Sequence, residues 1–145
     1  MPSEFKFEEQ KAQQAPISLE LACSALNELW SPRVVGQVNN QYIKVAKVLG
    51  DFPWHSHEHE DEMFLVLRGL LRIGRAEVDG GPVSLRPGEF FVVPRGLRHN
   101  TSAAEETWIA LIETTTTLHT GSEQTALTRS IADQLGTRER SSPAV

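Results

Sequence analysis

Between residues 34 and 113 the chain is cut into short apolar runs by turn-forming residues, and this narrows the choice of fold more than any other feature. VVGQV, QYIKVAKVL, EMFLVLRG, LLRIGRAEV, PVSLR, EFFVVP and TWIALIE are rich in β-branched and aromatic residues. Asn39-Asn40, Gly50 to Pro53, Gly69, Asp79-Gly80-Gly81, Pro87-Gly88 and Pro94-Arg95-Gly96 separate them. Many short strands with regular turns and no helix between them predict an all-β antiparallel sandwich or barrel. The barrel region is expected to span residues 33–119.

The flanks read differently. Residues 1–16 are polar and suit a flexible arm, although Phe5 and Phe7 alternate as in an edge strand. Residues 17–32 hold a helix signal, with Ser18 as N-cap and Leu19, Ala22, Leu26 and Leu29 as an apolar stripe running to Trp30. Ser31-Pro32 ends it. Residues 120–145 are expected to form a C-terminal helix, with Leu127, Ile131 and Leu135 at four-residue spacing and Gly136 closing it, followed by a disordered tail.

Composition limits the possible functions. A chain of 145 residues with 39% apolar content suits one domain with a sizeable core. The net charge of −5 is spread without a basic stripe, which argues against a nucleic-acid partner. No apolar run approaches the roughly 18 residues of a membrane helix, and MPSEFKFEEQ lacks a signal-peptide core. The expectation is a soluble, cytoplasmic protein with no membrane partner. Cys23 is the single cysteine, which leaves no internal disulfide and no multi-cysteine metal site. Its apolar setting reads as a buried thiol.

Chemistry concentrates in FPWHSHEHEDEMF, residues 52–64. On an extended backbone His55 and His57 point the same way, and Glu62 follows after a turn that EHED can make. Imidazole nitrogen with carboxylate oxygen suits one divalent metal such as Zn, Mn, Fe, Ni or Cu. A solvated, His-rich loop is the plain alternative. Far downstream, GEFFVVPRGLRHN at residues 88–100 holds His99. Inward side chains of distant strands converge in a small barrel, so His99 could complete a site of three histidines and one glutamate.

These two stretches resemble the paired motifs of the cupins. The first cupin motif reads G(X)5HXH(X)3–4E(X)6G, and His55, His57, Glu62 and Gly69 match it. Gly50 lies one residue too close. The second reads G(X)5PXG(X)2H(X)3N, and Gly88, Pro94, Gly96 and His99 match, while Ala103 stands at the Asn position and Asn100 follows the histidine directly. The resemblance implies a double-stranded β-helix, the cupin or jelly-roll barrel, with short terminal helices. It also implies that His55, His57, Glu62 and His99 bind one metal. Residues 28–121 further resemble single-domain cupins loosely labelled mannose-6-phosphate isomerase-like, through ELWSPRVVGQVN, WHSHEHEDEMFLVLRG and GEFFVVPRGLRHN. Shared fold does not transfer that substrate.

Strand parity extends the reading. If Glu62 faces inward, so do Phe64 and Val66, which would line the pocket, while Asp61 turns away. Met63, Leu65 and Leu67 then need cover from a terminal helix or a second subunit, and a homodimer is expected. Tyr42, Lys44, Lys47, Arg95 and Arg98 are candidates for holding an anionic substrate group, although each suits a solvated surface as well. His59 and His119 read as surface residues, and Trp54, Trp108 and Phe90 as core. Four protein ligands leave two positions on a six-coordinate metal. The functional expectation is a metal-dependent enzyme acting on a small polar metabolite by isomerase, lyase or oxygenase chemistry, with Glu62 as a candidate base. A non-catalytic metallo-barrel that binds or senses a small molecule is the alternative, and a metal-free barrel the third reading.

Overall fold

A computed structural model describes residues 15–116 and Gln134. One short helix, α1 (Leu19–Ser24), precedes seven strands: β1 (Arg33–Val38), β2 (Gln41–Asp51), β3 (Glu62–Arg68), β4 (Leu71–Gly74), β5 (Val83–Leu85), β6 (Phe90–Val93) and β7 (Asn100–Thr114). All strand pairings are antiparallel, and the sheet runs β1-β2-β7-β3-β6, with β4 pairing both β5 and β7. No described helix is long and apolar enough to cross a membrane. The expected arm at residues 1–14, His119 and the Leu127/Ile131/Leu135 helix lie outside the described residues.

β7 is the strand on which closure depends. Its first residues pair with β4, its last with β3, and β2 follows it along both parts. Between Val48 and Gly50 the β2 register slips against β7, so that Thr107 and Ala103 become successive partners and Ala104, Glu105 and Glu106 bulge out exposed. Such a bulge bends a strand and lets one ribbon serve both walls of a barrel. Thr107 Oγ1 pins the corner by accepting from the Leu70 N–H at 3.2 Å.

Side-chain parity divides the apolar residues between two layers. Ala46, Val48, Phe64, Val66, Ile109 and Leu111 face the barrel interior. Val45, Ala110, Leu65, Leu67 and Trp108 face outward and pack against Leu19, Ala22, Cys23 and Leu26 on and beside α1. Each fully buried large apolar side chain of this kind contributes roughly 1.5–3 kcal/mol. The outward apolar face of β3 is thus covered in part by the chain's own helix. Burial also pushes the Cys23 thiol up to about 11, which fits an inert core cysteine.

The helix is shorter than its periodicity predicts. Ser18 is the N-cap, its side chain accepting from Leu21 N–H, but the helix ends at Ser24 instead of Trp30. The tail of the apolar stripe is drawn onto β2. Leu29 bridges Lys47, Trp30 N–H donates to Lys47 O at 2.8 Å, and Lys47 Nζ donates to Ser24 O and Leu26 O at 3.3 and 2.9 Å. Those carbonyls would otherwise lack partners at the helix end. Two further expectations need correction. Phe90 and Trp54 are exposed, 60% and 42%, not core. Phe91 and Val93 take the inward parity of β6, which turns Phe90 out.

Gly69 sits at φ +92° beside the pinned corner, and a Cβ there would lie 3.0 Å from Thr107 Cα. Gly88 has a similar φ of +86° with open space around it. Gly88→Ala is expected to cost about 1 kcal/mol from backbone strain alone. Gly69→Ala is expected to cost roughly 2 kcal/mol or more, because strain and a steric conflict add. Urea unfolding midpoints of the two variants check the order.

Candidate metal centre

Residues 52–57 run antiparallel to the turn that leads into β7 and to its first residues, joined by the isolated bridge His55–His99. His55 and His99 exchange both backbone hydrogen bonds, each N–H to O distance being 2.9 Å. Phe52 N–H donates to Thr101 O and Gly96 N–H to His57 O, both at 2.8 Å. This pairing places three imidazoles together, with ring centroids 4.5 Å apart for His55–His99, 5.1 Å for His55–His57 and 6.0 Å for His57–His99. Glu62, the first residue of β3, enters from the adjoining strand.

All four side chains are buried, and one ligand atom from each lies within 4.8 Å of the others. Their protonation is set locally. His55 Nδ1 lies 2.9 Å from Pro53 O and His99 Nδ1 lies 2.9 Å from Leu97 O. A carbonyl only accepts, so each Nδ1 carries the proton, and it is Nε2 of each ring that is left to offer a lone pair. His55 Nε2, His57 Nε2, His99 Nε2 and Glu62 Oε1 are buried without a hydrogen-bond partner, although His57 Nε2 and His99 Nε2 approach Glu62 Oε1 to 3.1 and 3.6 Å. Four buried, converging lone-pair atoms are costly unless something binds them. The donor set fits a divalent metal of the Zn, Mn, Fe, Ni or Cu group.

Electrostatics differ from ring to ring. Burial pushes His55 down to about 4, outweighing its bond to Pro53. Burial also lowers His57, but the Glu62 carboxylate beside it outweighs this and holds it above its ordinary value. For Glu62, burial pushes upward, yet contacts with His57, His99 and Glu113 hold it well below the usual range. Glu113 is the opposite case: burial, with the Glu62 charge alongside, raises it well above that range despite Lys44.

Glu113 is a residue that the sequence reading missed. It is the cross-strand partner of Glu62 in the β3–β7 register, so the two carboxyls share one face. Its signal was present in WIALIE, where Ile109, Leu111 and Glu113 alternate and the acid continues an inward apolar parity. Lys44 is fully buried, with Nζ 2.6 Å from Glu113 Oε1 and a hydrogen bond to Gln134 Oε1.

The other sequence candidates fall away from the cluster. Asp61 is exposed and accepts from Arg95 N–H at 2.9 Å, with the Arg95 side chain on the surface beside it. His59 is 82% exposed. Lys47 faces outward over the Trp108 ring, and Arg98 is exposed. A cavity opens directly on His55 and Glu62, walled by Trp30, Val48, Phe52, Phe64, Ile109 and Leu111 among others. Phe64 lines it as parity predicts. Val66 has the same parity but belongs to the buried core further along β3, where its backbone pairs with Gly88 and Glu89, and does not line the cavity. Tyr42 and Lys44 are buried and do not line it either.

The family model described as Cupin domain matches residues 44–123 of this chain, more than half its length. The chain belongs to the cupin family. A cupin-2 domain containing protein from Shewanella frigidimarina is 36% identical, with a TM-score of 0.64 over 73% of this chain and 97% of that one. A Neisseria meningitidis protein is 29% identical, with a TM-score of 0.62 over 69% and 99%. The Bacillus subtilis protein YdbB is 30% identical over 67 residues, covering 46% of this chain and 58% of YdbB. The cupin double-stranded β-helix accounts for the closure at β7, and the two departures from the family motifs have definite places in it. Early Gly50 sits at the register slip of β2, and Asn100 directs its side chain to Phe52 O at 3.4 Å, tying the first motif to the second.

His55 supplies a pH prediction. Its folded pKa of about 4 lies below the ordinary 6.5, so the unfolded chain takes a proton that the folded chain refuses. This contribution to stability is full above about pH 6.5 and lost as pH falls toward 4. His57 is shifted the other way, and its contribution is lost as pH rises past 6.5. In chelator-treated protein, His55→Gln is therefore expected to remove roughly 3 kcal/mol of acid-side loss, read as a flatter stability curve between pH 6.5 and 4 in urea titrations.

Proposed function

We propose that His55, His57, Glu62 and His99 hold one divalent metal ion, and that this cupin is a metal-dependent enzyme acting on a small molecule. The convergence of four buried, unpartnered donor atoms carries the reading. A metal held there would supply Lewis-acid polarisation of a substrate oxygen, and two coordination positions would remain for substrate or water. The chain's own groups would do the rest. The Nδ1–H bonds to Pro53 O and Leu97 O orient His55 and His99 and fix their tautomers. Glu62 is the acid that lines the cavity, and it would take and return a proton only on leaving the metal.

Elemental analysis and calorimetry test the site. Wild type is expected to bind one equivalent of Mn, Fe, Ni, Cu or Zn and to gain thermal stability with the metal. His57→Ala should lose at least tenfold in affinity, and His59→Ala should not change. No uptake and no thermal shift with any of these ions would overturn the reading. Turnover in a metabolite screen that vanishes in His99→Ala supports an enzyme, whereas saturable binding without product supports a sensor.

We also propose a homodimer. β6 lies at the end of the sheet path, and Phe90 and Val92 stand exposed on its outer face. An apolar patch on an edge strand suits a self-complementary contact. Light scattering is expected to give twice the 16.1 kDa chain mass, and Phe90→Glu to lower it to one chain.

A further inference from the structure

Trp30 has a backbone conformation that a bulky residue rarely adopts. Its φ is +57°, and Asn39 in a hairpin turn is the other non-glycine of the described residues on that side. Two hydrogen bonds hold it there: Trp30 N–H to Lys47 O at 2.8 Å, and the indole Nε1–H to Leu49 O at 2.9 Å. The ring packs against Phe52 with centroids 4.7 Å apart, and Phe52 packs against the ligand candidate His55 at 5.5 Å. Strain maintained by surrounding bonds concentrates at functional sites. Here it sets a half-buried indole into the wall of the cavity over the metal centre.

The chemistry of that wall restricts what fits. Among the described residues, the cavity lining is apolar apart from His55, Glu62 and Thr101, and none of it is cationic. Lys44 is spent on Glu113 and Gln134, Lys47 points to the opposite face, and Arg95 lies beside Asp61 on the surface. A phosphate or a second carboxylate on the substrate body would be desolvated there without a counter-charge, which is costly.

We propose that the substrate is a small oxygen chelate with a planar, uncharged apolar body, and that Trp30 with Phe52 is the surface on which this body lies. The inference rests on the metal reading above and refines it: the polarity of the substrate is confined to its metal-binding head. Trp30 is then a specificity-determining residue. A phosphorylated sugar would find no counter-charge among the described residues of this wall.

Three 2-hydroxy acids share one chelating head and differ only in body, and they make the test. Binding of mandelate, lactate and malate is measured by calorimetry to protein loaded with one equivalent of Zn(II). Mandelate is expected to bind tightest and malate weakest. Trp30→Ala should weaken mandelate by about threefold to tenfold, the range of an aromatic contact, and leave malate and Zn(II) affinity unchanged. Trp30→Phe should restore most of the loss. Malate binding as tightly as mandelate to wild type, which needs no variant, overturns the inference, as does Trp30→Ala with undiminished mandelate affinity. Failure to take up Zn(II) or any of Mn, Fe, Ni and Cu would overturn the metal reading first and this inference with it, whereas normal uptake without discrimination overturns the inference alone.

Discussion

The reciprocal backbone pairing of His55 with His99 is the contact on which the centre depends. Two hydrogen bonds join stretches that are far apart in the chain and bring two imidazoles together, tilted by 51° with centroids 4.5 Å apart. The carbonyls of Pro53 and Leu97, each two residues ahead of its histidine, then fix both tautomers. The local backbone of each motif therefore orients its own ring, and the bridge between motifs brings the rings together. The barrel is what allows the bridge: β7 must leave one wall at its bulge and join the other for residues 96–101 to lie beside residues 52–57.

Charge is arranged as closely as geometry. Glu62 and Glu113 face each other across β3 and β7 in a buried setting where two bare carboxylates would repel strongly. The structure separates their roles. Glu62 is held ionised by the histidines, Glu113 is driven toward its neutral form, and Lys44 lies against Glu113. A divalent ion beside Glu62 would add positive charge to the side of the pair that is already anionic. The lysine is thereby committed to balancing the interior.

Much of this was legible in the sequence. The turn residues and β-type runs foretold an all-β barrel, and period-two parity turned Glu62 and Phe64 inward and Asp61 outward. The motif spacing separated His57 from His59, which the structure leaves on the surface. What escaped depends on tertiary context. The stripe from Leu19 to Leu29 has helical spacing throughout, but Leu29 and Trp30 gain more from hydrogen bonds to β2 than from two further helical turns. Lys44 reads as surface or anion site, because its partner Glu113 is 69 positions away and only the register of β2 and β7 brings them together. Phe90 reads as core until the parity of β6 is known.

Gln134 makes the boundary of this barrel less simple than its strands suggest. The last described strand ends at Thr114, and all four candidate ligands lie before that point. Yet a fully buried glutamine twenty positions further on accepts from Lys44, the residue that offsets Glu113 behind Glu62. The set of groups that satisfies the buried lysine therefore reaches beyond the described strands. A gene fragment ending with the final strand would carry every donor atom of the centre and lack one of the groups that solvates its buried lysine.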